Sequence, residues 1–468
     1  MAFLQDKIYP KLPVFVQNLA ISAYGWQWHK RRYGGIFEQE LQGIKTREAY
    51  TSQGWRDYQT LKLREVLTHA METVPFYREH YTKSGITPAD VEKIKLEGLP
   101  RLPYLEKEAL RQYGETTLLS RKREPSGAFF SSSGSTGTPT KILFSHAMHQ
   151  RWSAAYEARV RHWAGVDRFD ARGMIGGRRV LAAGVAQAPY YRYNFIEKQA
   201  YFSAYHIAEN TAPEYLKGIV KHRLKYMVGY AMSNYFLARF LHELKLEAPR
   251  LKAVLTSSEK LTPEMRSVFQ LVYGCKTFDA WSGVEACALV SECEHGRLHI
   301  SPDAGIVELL NAEGQPVKAG ETGEVVCTGF LNFDQPLIRY RIGDLMRLGK
   351  DGCTCGRNMP VIEEIIGRIE DTVIGADGRE MVRFHGIFVQ LPQVIEGQII
   401  QHDLKQFEIK VVTTGLLGEN EKQTIRNRMT SQLGPIDLKI NEVSTIPRGA
   451  NGKFKAVISH VKRPVSKV

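Results

Sequence analysis

Between Phe129 and Ser301 the chain alternates short apolar runs with helical segments, and this alternation constrains the fold more than any other feature. The strand-like runs "RRVLAAGVA", "YMVGYA", "LKAVLTSS" and "KTFDAW" carry polar residues at their ends. The segments "SNYFLARFLHELKL" and "TPEMRSVFQLVYG" between them have helical character. Strands that alternate with helices predict an α/β domain with a largely parallel sheet, whose functional groups lie near the strand ends.

The regions on either side of this alternation have different patterns. Residues 1–125 are predicted to be mainly helical, and "TLKLREVLTHAMETVPFYREHYTKSG" is the most clearly periodic stretch. Beyond Ser301 the pattern is β-rich and ends in a unit of strand, amphipathic helix and strand. We therefore predict an α/β N-terminal domain over residues 1–366, with sheets flanked by helices and a helical lead-in at 1–125. A small α+β domain follows over residues 367–468.

The charge balance favours anionic partners. The chain has 468 residues and a formal net charge of +13, so nucleotides, coenzyme A, anionic lipids and nucleic acids are all possible ligands. None of the usual nucleic-acid-reading motifs is present, and we therefore expect no nucleic-acid partner. The six cysteines do not form a secreted disulfide pattern in a chain of this length, which predicts a reducing, cytoplasmic location.

The N-terminal segment contains a short apolar run and a basic-aromatic cluster. The run "LPVFVQNLAISAYG" is shorter than the about 20 residues that cross a bilayer, and we expect no cleavable signal. The adjoining "GWQWHKRRYGG" combines two tryptophans with basic residues, so it can rest on a membrane surface as a peripheral contact. A helix docked on the main domain, with a solvated basic end, is the favoured alternative.

A loop rich in hydroxyl groups, "SSSGSTGTPTK", lies between the strand-like runs "GAFF" and "KILFS". Hydroxyls and backbone N–H groups in a glycine-rich turn can surround phosphate oxygens without a side-chain clash. The loop lacks the Gly-Lys-Ser/Thr end of a Walker A motif. Its composition alone is equally compatible with a plain flexible hairpin.

Four further motifs carry groups suited to a nucleotide. In "DAWSGVE" two acids flank an aromatic ring, which suits an adenine amino group, the purine face and Mg²⁺. "RYRIGD" places a carboxylate where it can accept both ribose hydroxyls. "GRIEDTV" adds an arginine for the same ribose, and "IPRGANGKFK" adds a lysine beyond a glycine-rich turn. A buried tryptophan with surface carboxylates, a surface Arg–Asp pair and a solvated tail lysine are the ordinary alternatives.

In this order, the five motifs resemble those of the adenylate-forming superfamily of acyl-CoA synthetases and peptide-synthetase adenylation domains, from about residue 60 to the end. The compact hydroxyl loop, the short length and the "CTCGR" insertion are most similar to the phenylacetate–CoA ligase-like branch. Within that branch we favour the group associated with capsule polysaccharide biosynthesis. The resemblance implies that the small C-terminal domain is mobile and rotates about a hinge between two half-reactions.

The resemblance assigns roles residue by residue. The β- and γ-phosphates of ATP are expected at Ser132, Ser133, Gly134, Ser135, Thr136, Gly137 and Thr138. The remaining ATP/AMP contacts are expected at Ser258, Glu259, Lys260, Asp279, Ala280, Trp281, Ser282, Asp344 and Arg368. Glu285 is expected to bind Mg²⁺, and Glu370 is expected to form the hinge between the domains. Lys453 is expected to be the catalytic lysine of adenylation. Val284 departs from the family pattern, which has a hydroxyl at this position.

The implied activity is an ATP-dependent carboxylate ligase. Mg²⁺ and Lys453 neutralise the negative charges of ATP and of the carboxylate. The carboxylate then attacks the α-phosphate, pyrophosphate is released, and an acyl-adenylate forms. The acyl group then passes to coenzyme A, or alternatively to an amine or hydroxyl of a sugar precursor. A degenerate nucleotide-binding scaffold is the third possibility. We expect the pocket for the small-molecule acid near Tyr230, Ala231 and Ser233, and we allow that seven arginines between Arg151 and Arg179 receive acceptor phosphates.

A second constellation does not involve the nucleotide. "SECEHGRLHIS" and "DGCTCGR" supply a Cys–x5–His pair and a Cys–x–Cys pair, the ligand types of a closed structural Zn²⁺ site. The predicted ligands are Cys293, His299, Cys353 and Cys355, with His295 as the alternative histidine. The related ligases of this branch carry a similar motif. Unconnected reduced thiols are the ordinary alternative.

Overall fold

The structure is a computed structural model. It describes residues 9–124, 126–131, 139–177, 180–181, 187–368, 373–375, 380–381, 385–388, 391, 393–447 and 454–461. The chain divides into two compact units. Unit 1 comprises Met1–Ile342 and Met346–Ile365, and unit 2 comprises Gly343–Leu345 and Ile366–Val468. The predicted fold class is confirmed: a large sheet with flanking helices, and a smaller domain with its own sheet.

The first part of unit 1 is helical. In the described part of residues 1–125 the helices are α1 Val14–Tyr33, α2 Phe37–Arg47, α3 Ser52–Thr73, α4 Pro75–Lys83, α5 Pro88–Lys93 and α6 Lys107–Tyr113. In α3, Leu63, Val66, Leu67 and Ala70 are fully buried, and their spacing places them on one face of the helix. None of the described helices is both long and apolar enough to span a bilayer.

A two-stranded hairpin follows, formed by β1 Ala128–Ser131 and β2 Lys141–Phe144. The strands are antiparallel, with Ala128 opposite Phe144 and Ser131 opposite Lys141. The predicted phosphate loop, residues 132–138, connects these strands and lies outside the described residues. The strands on both sides therefore agree with the hairpin that the flanking sequence predicts.

Twelve strands in the described part of the chain form one sheet. They are β3 Arg172–Gly176, β4 Tyr191–Asn194, β5 Gln199–Ser203, β6 Tyr226–Tyr230, β7 Ala253–Ser257, β8 Lys276–Trp281, β9 Val290–Glu292, β10 Leu298–Ile300, β11 Gly305–Leu310, β12 Thr322–Gly329, β13 Tyr340–Leu348 and β14 Val361–Arg368. Their order is β11-β12-β13-β14-β10-β9-β8-β7-β6-β3-β5-β4. The strands β5, β3, β6, β7 and β8 pair in parallel, whereas β8, β9 and β10 pair in antiparallel fashion.

Three helices lie between the parallel strands along the chain, and a fourth, α7 His146–Tyr156, precedes β3. The three are α8 Ala212–Lys221, α9 Ala231–Glu243 and α10 Pro263–Tyr273. Thr262 caps α10 by accepting a hydrogen bond from the Met265 N–H, and Gly274 ends the helix in a left-handed conformation. The π-helical turn Glu157–Arg161 continues α7. The predicted strands at 226–231, 251–258 and 276–281 and the helices between them are therefore confirmed, whereas most of the strand predicted at 178–186 lies outside the described residues.

Unit 2 has its own sheet and core. The short elements β15 Val373–Ile374, β16 Glu380–Met381 and α11 His385–Phe388 precede β17 Val394–Gln401, β18 Gln406–Thr413, α12 Glu419–Leu433, β19 Asp437–Glu442 and β20 Val457–Ser459. The four-stranded order is β19-β18-β17-β20. Ile409 and Val411 of β18 pack with Ile425 and Met429 of α12, and all four are fully buried. This is the strand, helix and strand pattern predicted for the C-terminal region.

Candidate active site

Three neighbouring parallel strands of unit 1 end side by side and form the centre of the candidate site. Tyr230 at the end of β6 pairs with Ser257 at the end of β7, and Ser257 pairs with Ala280 of β8. Because parallel strands end at the same edge of a sheet, the segments that leave these strands start next to one another. Much of the predicted adenosine and acyl site lies on these segments.

Glu285 is a buried carboxylate held by hydroxyl groups from two other motifs. Its side chain is 2 % exposed. Its Oε1 accepts hydrogen bonds from Thr140 Oγ1 at 3.4 Å and from Tyr340 Oη at 3.3 Å. These two donors, among the described residues, are neutral and do not cancel the charge of the carboxylate. A hard cation such as Mg²⁺, which binds through one or two carboxylates and substrate phosphates, fits this donor set.

The turn that carries Glu285 is tightly constrained. The Ala286 N–H donates to the Gly283 carbonyl at 3.1 Å, and Ala286 has a φ of 46°, which is uncommon for a residue with a β-carbon. Backbone strain of this kind occurs at sites where the surrounding structure fixes a side chain. The turn therefore holds the carboxylate in one position after β8.

Asp279, predicted to contact the adenine amino group, is half-buried on β8. Its Oδ1 accepts a hydrogen bond from Thr256 Oγ1 at 3.3 Å, and its backbone N–H donates to Glu292 Oε2 at 2.8 Å. Arg266 donates to the same Glu292 oxygen at 2.7 Å. Burial, followed by the negative charge of Glu292, raises the pKa of Asp279 to about 7, and Arg266 only partly opposes this.

The segment 258–260, predicted to run along the adenine base, begins with a strained residue. Ser258 has a φ of 69°, in the left-handed region. Glu259 Oε2 accepts a hydrogen bond from the Met232 N–H at 2.9 Å, in the first turn of α9. Lys260 forms an ion pair with Glu364 at 2.9 Å. The carboxylate of Glu259 thus has a capping role that the sequence did not indicate, and the nucleotide role of the segment stays a prediction.

The predicted acyl pocket lies at the junction of β6 and α9. Tyr230 and Ser233 are half-buried, whereas Ala231 is fully buried. Burial, and then the nearby Glu259 carboxylate, raise the pKa of Tyr230 to about 12, so its phenol is neutral at physiological pH. At Gly229, with a φ of 131°, a β-carbon would lie 1.8 Å from the Ile175 carbonyl oxygen, and glycine is therefore required for β6 to pair with β3.

The aromatic residue predicted to stack on adenine is buried. Trp281 is 9 % exposed and belongs to the core of unit 1, together with Ala280. Ser282 is half-buried, and its hydroxyl donates to the Gly283 carbonyl at 3.2 Å. Val284 is half-buried and packs against the same core. The stacking role of Trp281 stays a prediction.

Several predicted residues cannot be placed in this geometry. The phosphate-loop residues 132–138, Glu370 and Lys453, together with the side chain of Arg368, lie outside the described residues. Asp344, on β13, is 5 % exposed. The phosphate, ribose, hinge and lysine roles of these residues therefore stay predictions.

Four of the predicted metal ligands come together in unit 1. The ligand atoms of Cys293, His299, Cys353 and Cys355 all lie within 4.8 Å of one another. The alternative histidine, His295, is not in this group, and its Nδ1 instead shares a 2.8 Å hydrogen bond with Thr354 Oγ1. The structure thus selects the predicted first choice of histidine.

Two of the six separations among these ligand atoms match those of a tetrahedral zinc site. Zn–S bonds of about 2.3 Å and Zn–N bonds of about 2.0–2.1 Å give S···S separations of about 3.8 Å and S···N separations of about 3.5 Å in a tetrahedron. Cys293 Sγ lies 3.8 Å from Cys353 Sγ, and Cys355 Sγ lies 3.5 Å from His299 Nε2. His299 Nδ1 lies 3.3 Å from the Met359 carbonyl oxygen, which orients the ring with Nε2 toward the sulfur atoms.

The described arginines of the stretch 151–179 do not form the anion-binding cluster that the sequence allowed. The five arginines that are described have partners within the protein, and Arg178 and Arg179 lie outside the described residues. The partners are Glu40 for Arg151, Glu48 and Asp303 for Arg159, Glu157 for Arg161, Glu38 for Arg168 and Gln199 for Arg172. Arg159 and Arg172 are almost completely buried. For these five residues the hypothesis is wrong, because their guanidinium groups stabilise unit 1 internally.

Comparisons with known proteins agree with the motif order. Residues 373–460 match the family model of the CapK C-terminal domain. Protein CapK of Staphylococcus aureus is 23 % identical over 462 residues, which cover 97 % of this chain and 99 % of the relative. A phenylacetate-coenzyme A ligase of Thermus thermophilus is 26 % identical over 336 residues, which cover 68 % of this chain and 71 % of the relative.

The fold matches a solved coenzyme A ligase. The crystal structure of 2-hydroxyisobutyryl-CoA ligase has a TM-score of 0.69 at 20 % identity, over 89 % of this chain and 91 % of that chain. The fold is therefore that of the adenylate-forming ligases. Within that class, the homologues of this chain are CapK and the phenylacetate–coenzyme A ligases, which confirms the predicted resemblance.

Two residues of the site were not singled out from the sequence. Thr140 and Tyr340, which hold the Glu285 carboxylate, received no role, although each lies inside a motif that did. Thr140 is the last hydroxyl of "SSSGSTGTPTK", and Tyr340 is the aromatic residue of "RYRIGD". Glu292, which faces Asp279, lies in no nucleotide motif, and no local pattern marks it.

Proposed function

We propose that this protein is an ATP-dependent carboxylate ligase that forms an acyl-adenylate, releases pyrophosphate and transfers the acyl group to coenzyme A. The phenylacetate–coenzyme A ligase homologues and the fold of the coenzyme A ligases support ATP-dependent adenylation followed by thioester formation. The acid is a small-molecule carboxylate, and its identity is left to experiment.

The single observation that carries the proposal is the convergence of three motifs on Glu285. Thr140 from the hydroxyl-rich segment and Tyr340 from "RYRIGD" both donate to the carboxylate that follows "DAWSG". A buried carboxylate that is held by neutral donors favours a cation partner, because an isolated buried charge is costly. We propose that this partner is Mg²⁺, which would neutralise phosphate oxygens of ATP.

The proposed reaction requires that two anions, the carboxylate substrate and the α-phosphate of ATP, come into contact. The phosphate loop, 132–138, would hold the β- and γ-phosphates through N–H and hydroxyl groups. Asp344 and Arg368 would bind the ribose, and Asp279 the adenine amino group. Lys453 would donate its ammonium hydrogens to the α-phosphate and to the attacking carboxylate, which lowers their repulsion. Glu370 would act as the hinge that withdraws this lysine after adenylation.

We also propose that Cys293, His299, Cys353 and Cys355 hold a structural zinc ion. Three thiolates and one imidazole give a closed ligand set that leaves no position for a substrate. A bound ion would connect Cys293, which follows β9, and His299 on β10 with the loop at 353–355. It would therefore contribute to the stability of unit 1. We propose a reducing, cytoplasmic location, which suits the six free cysteines.

A second acceptor is the alternative proposal, and the chain matches protein CapK over nearly its whole length. In this alternative the acyl group passes to an amine or hydroxyl of a sugar precursor. A degenerate nucleotide-binding scaffold would keep the fold without adenylation. Peripheral membrane contact is a separate proposal. It rests on helix α1 and on the turn between β4 and β5.

Exchange of labelled pyrophosphate into ATP, measured with a panel of carboxylic acids that includes phenylacetate, tests the proposal. We expect exchange that depends on one class of acid and on Mg²⁺. Lys453→Ala should suppress exchange while leaving ATP binding largely intact. Absence of exchange with every acid, in a protein that binds ATP, would favour the scaffold. Coenzyme A and amino sugars, added separately with the active acid, then distinguish thioester from amide formation.

A further inference from the structure

The fully buried residues of helix α1 are small or polar. The three residues of α1 that are buried are Gln17, Ser22 and Gly25, none of which has a large apolar side chain. Ser22 Oγ accepts a hydrogen bond from the Phe195 N–H at 2.9 Å. Asn18 Oδ1 accepts one from the Tyr193 N–H at 2.9 Å. These bonds satisfy backbone donors along β4, the edge strand of the sheet.

Three large apolar side chains of α1 point toward solvent, whereas Trp28 is half-buried against Phe130 and His149. Phe15 is 66 % exposed, Leu19 57 % and Trp26 53 %. Residues spaced by four and seven positions lie on one strip of a helix. A helix that docks on a globular core normally buries such residues, so this exposed strip requires a separate explanation.

The turn between β4 and β5 extends the apolar strip. Phe195 is 55 % exposed and Ile196 47 %. Ser22 lies four residues before Trp26 on α1, and its hydrogen bond to the Phe195 N–H places the turn beside the strip. The turn therefore adds two exposed apolar residues beside Ser22, which lies between Leu19 and Trp26 on α1.

The same area carries positive charge, and its described residues include no exposed acid. Helix α1 contains no aspartate or glutamate. Lys11, Lys30 and Lys198 are exposed, and Lys30 Nζ lies 3.8 Å from the centre of the Trp26 ring. Glu197, the acid of the β4–β5 turn, is buried and pairs with Arg32 at 2.5 Å. The surface therefore combines aromatic and aliphatic side chains with an excess of lysines.

We propose that this area, which we name the α1 surface, docks on an anionic lipid bilayer. It comprises Phe15, Leu19, Trp26, Phe195 and Ile196 with Lys11, Lys30 and Lys198. Apolar and aromatic side chains insert at the boundary between headgroups and acyl chains, and flanking lysines contact anionic headgroups. A second copy of the chain fits less well, because a symmetric contact would bring like charges together without acids to pair them. This proposal does not depend on the proposed ligase activity.

Co-sedimentation of the full chain with vesicles tests the apolar contribution. We expect binding to vesicles of phosphatidylcholine mixed with phosphatidylglycerol, and at least about tenfold weaker binding for Phe15→Ser/Leu19→Ser. The matched control is Phe169→Ser/Leu61→Ser, which alters one phenylalanine and one leucine that are 60 % and 63 % exposed elsewhere. The control should bind like the parent. Equal weakening in both variants would overturn the proposal.

Charge reversal tests the lipid headgroup. Neutralising one lysine at an anionic surface weakens binding about fivefold, so Lys11→Glu/Lys30→Glu should lower the affinity by about 25-fold or more. Lys93→Glu/Lys95→Glu changes the net charge equally at two other exposed lysines and should have a much smaller effect. Binding that is equally strong to pure phosphatidylcholine, or equally weakened by both variants, would contradict an anionic surface.

Fluorescence and self-association complete the test. Brominated lipid should quench the tryptophan fluorescence of the parent, and Trp26→Phe should remove most of that quenching.

Sedimentation velocity tests the alternative occupant of the α1 surface, a second copy of the chain. A parent dimer that Phe15→Ser/Leu19→Ser converts to monomer, with no binding to vesicles, would assign the α1 surface to a second copy and overturn the proposal. Thermal unfolding of each variant checks that the fold is intact.

Discussion

The carboxylate of Glu285 lies directly against the backbone of Gly283. A β-carbon built at position 283 would stand 2.2 Å from Glu285 Oε2 and 3.2 Å from Ile342 Cδ1. The other carboxylate oxygen, Oε1, is held by two hydroxyl donors. Glycine at position 283 is therefore what allows this carboxylate to occupy its place in the turn after β8.

Gly283→Ala should displace the Glu285 carboxylate without unfolding the protein. We expect pyrophosphate exchange to fall by about 10- to 100-fold, the range typical for groups that position a metal ligand. A raised Mg²⁺ requirement should accompany this loss. Gly415→Ala is the control, because a β-carbon at Gly415 meets no atom within 4 Å. Parent-like exchange in Gly283→Ala would remove Glu285 from the mechanism.

Thr140→Val and Tyr340→Phe each remove one donor to Glu285 Oε1. Loss of one donor that positions a metal ligand should lower the Mg²⁺ affinity by about tenfold. Because both donors act on one oxygen, the double variant should deviate from additivity. Titration of exchange activity with Mg²⁺ measures both effects. Tyr235→Phe, which removes a hydroxyl bonded to Glu264, should leave the Mg²⁺ dependence unchanged.

Asp279→Asn should make the stability of unit 1 less dependent on pH. Burial raises the pKa of Asp279 to about 7 in the folded protein, above the ordinary aspartate value of about 3.9 in the unfolded chain. The protonated acid therefore favours folding below pH 4, and this contribution is lost as pH rises toward 7. The amide introduced by Asp279→Asn cannot ionise, so the advantage of the variant over the parent should grow between pH 4 and 7 and then stay constant.

Thermal unfolding of both proteins across this pH range measures the effect of Asp279. We expect the difference in Tm to increase by a few degrees from pH 4 to pH 7.5. Asp351→Asn, at an exposed turn position, serves as the control for replacing an aspartate. A Tm difference that does not change with pH would contradict the raised pKa of Asp279.

The metal cluster predicts that two nearby histidines behave differently. His299→Ala should lower the zinc content of the purified protein and reduce its thermal stability, because His299 Nε2 faces Cys355 Sγ. His295→Ala should retain zinc, because its ring bonds Thr354 outside the cluster. Elemental analysis after dialysis should find one zinc ion per chain in the parent. Equal zinc contents in the two variants, or none in the parent, would refute the assignment.

Local sequence signals predicted the elements of unit 1 that surround the candidate site. "KTFDAW" corresponds to β8 in full. The strand was predictable because its alternation of residue types and its polar end are visible in the sequence. The four clustered thiol and imidazole side chains were also predictable, since a Cys–x5–His pair and a Cys–x–Cys pair supply the ligand types of a closed zinc site. In contrast, the partner of Asp279 was not predictable, because Glu292 comes from an antiparallel neighbour whose register only the folded sheet sets.

The sequence by itself determined the order of the motifs, the strands and helices of the α/β region and the residue types of both candidate sites. Tertiary structure decided which of those groups meet: Thr140 and Tyr340 at Glu285, and His299 rather than His295 at the thiols. It also decided that the described arginines between Arg151 and Arg172 pair inside the protein and that Phe15, Leu19 and Trp26 of α1 face outward. The reason is physical, since spacing along the chain fixes local conformation, whereas burial and pairing depend on residues distant in sequence.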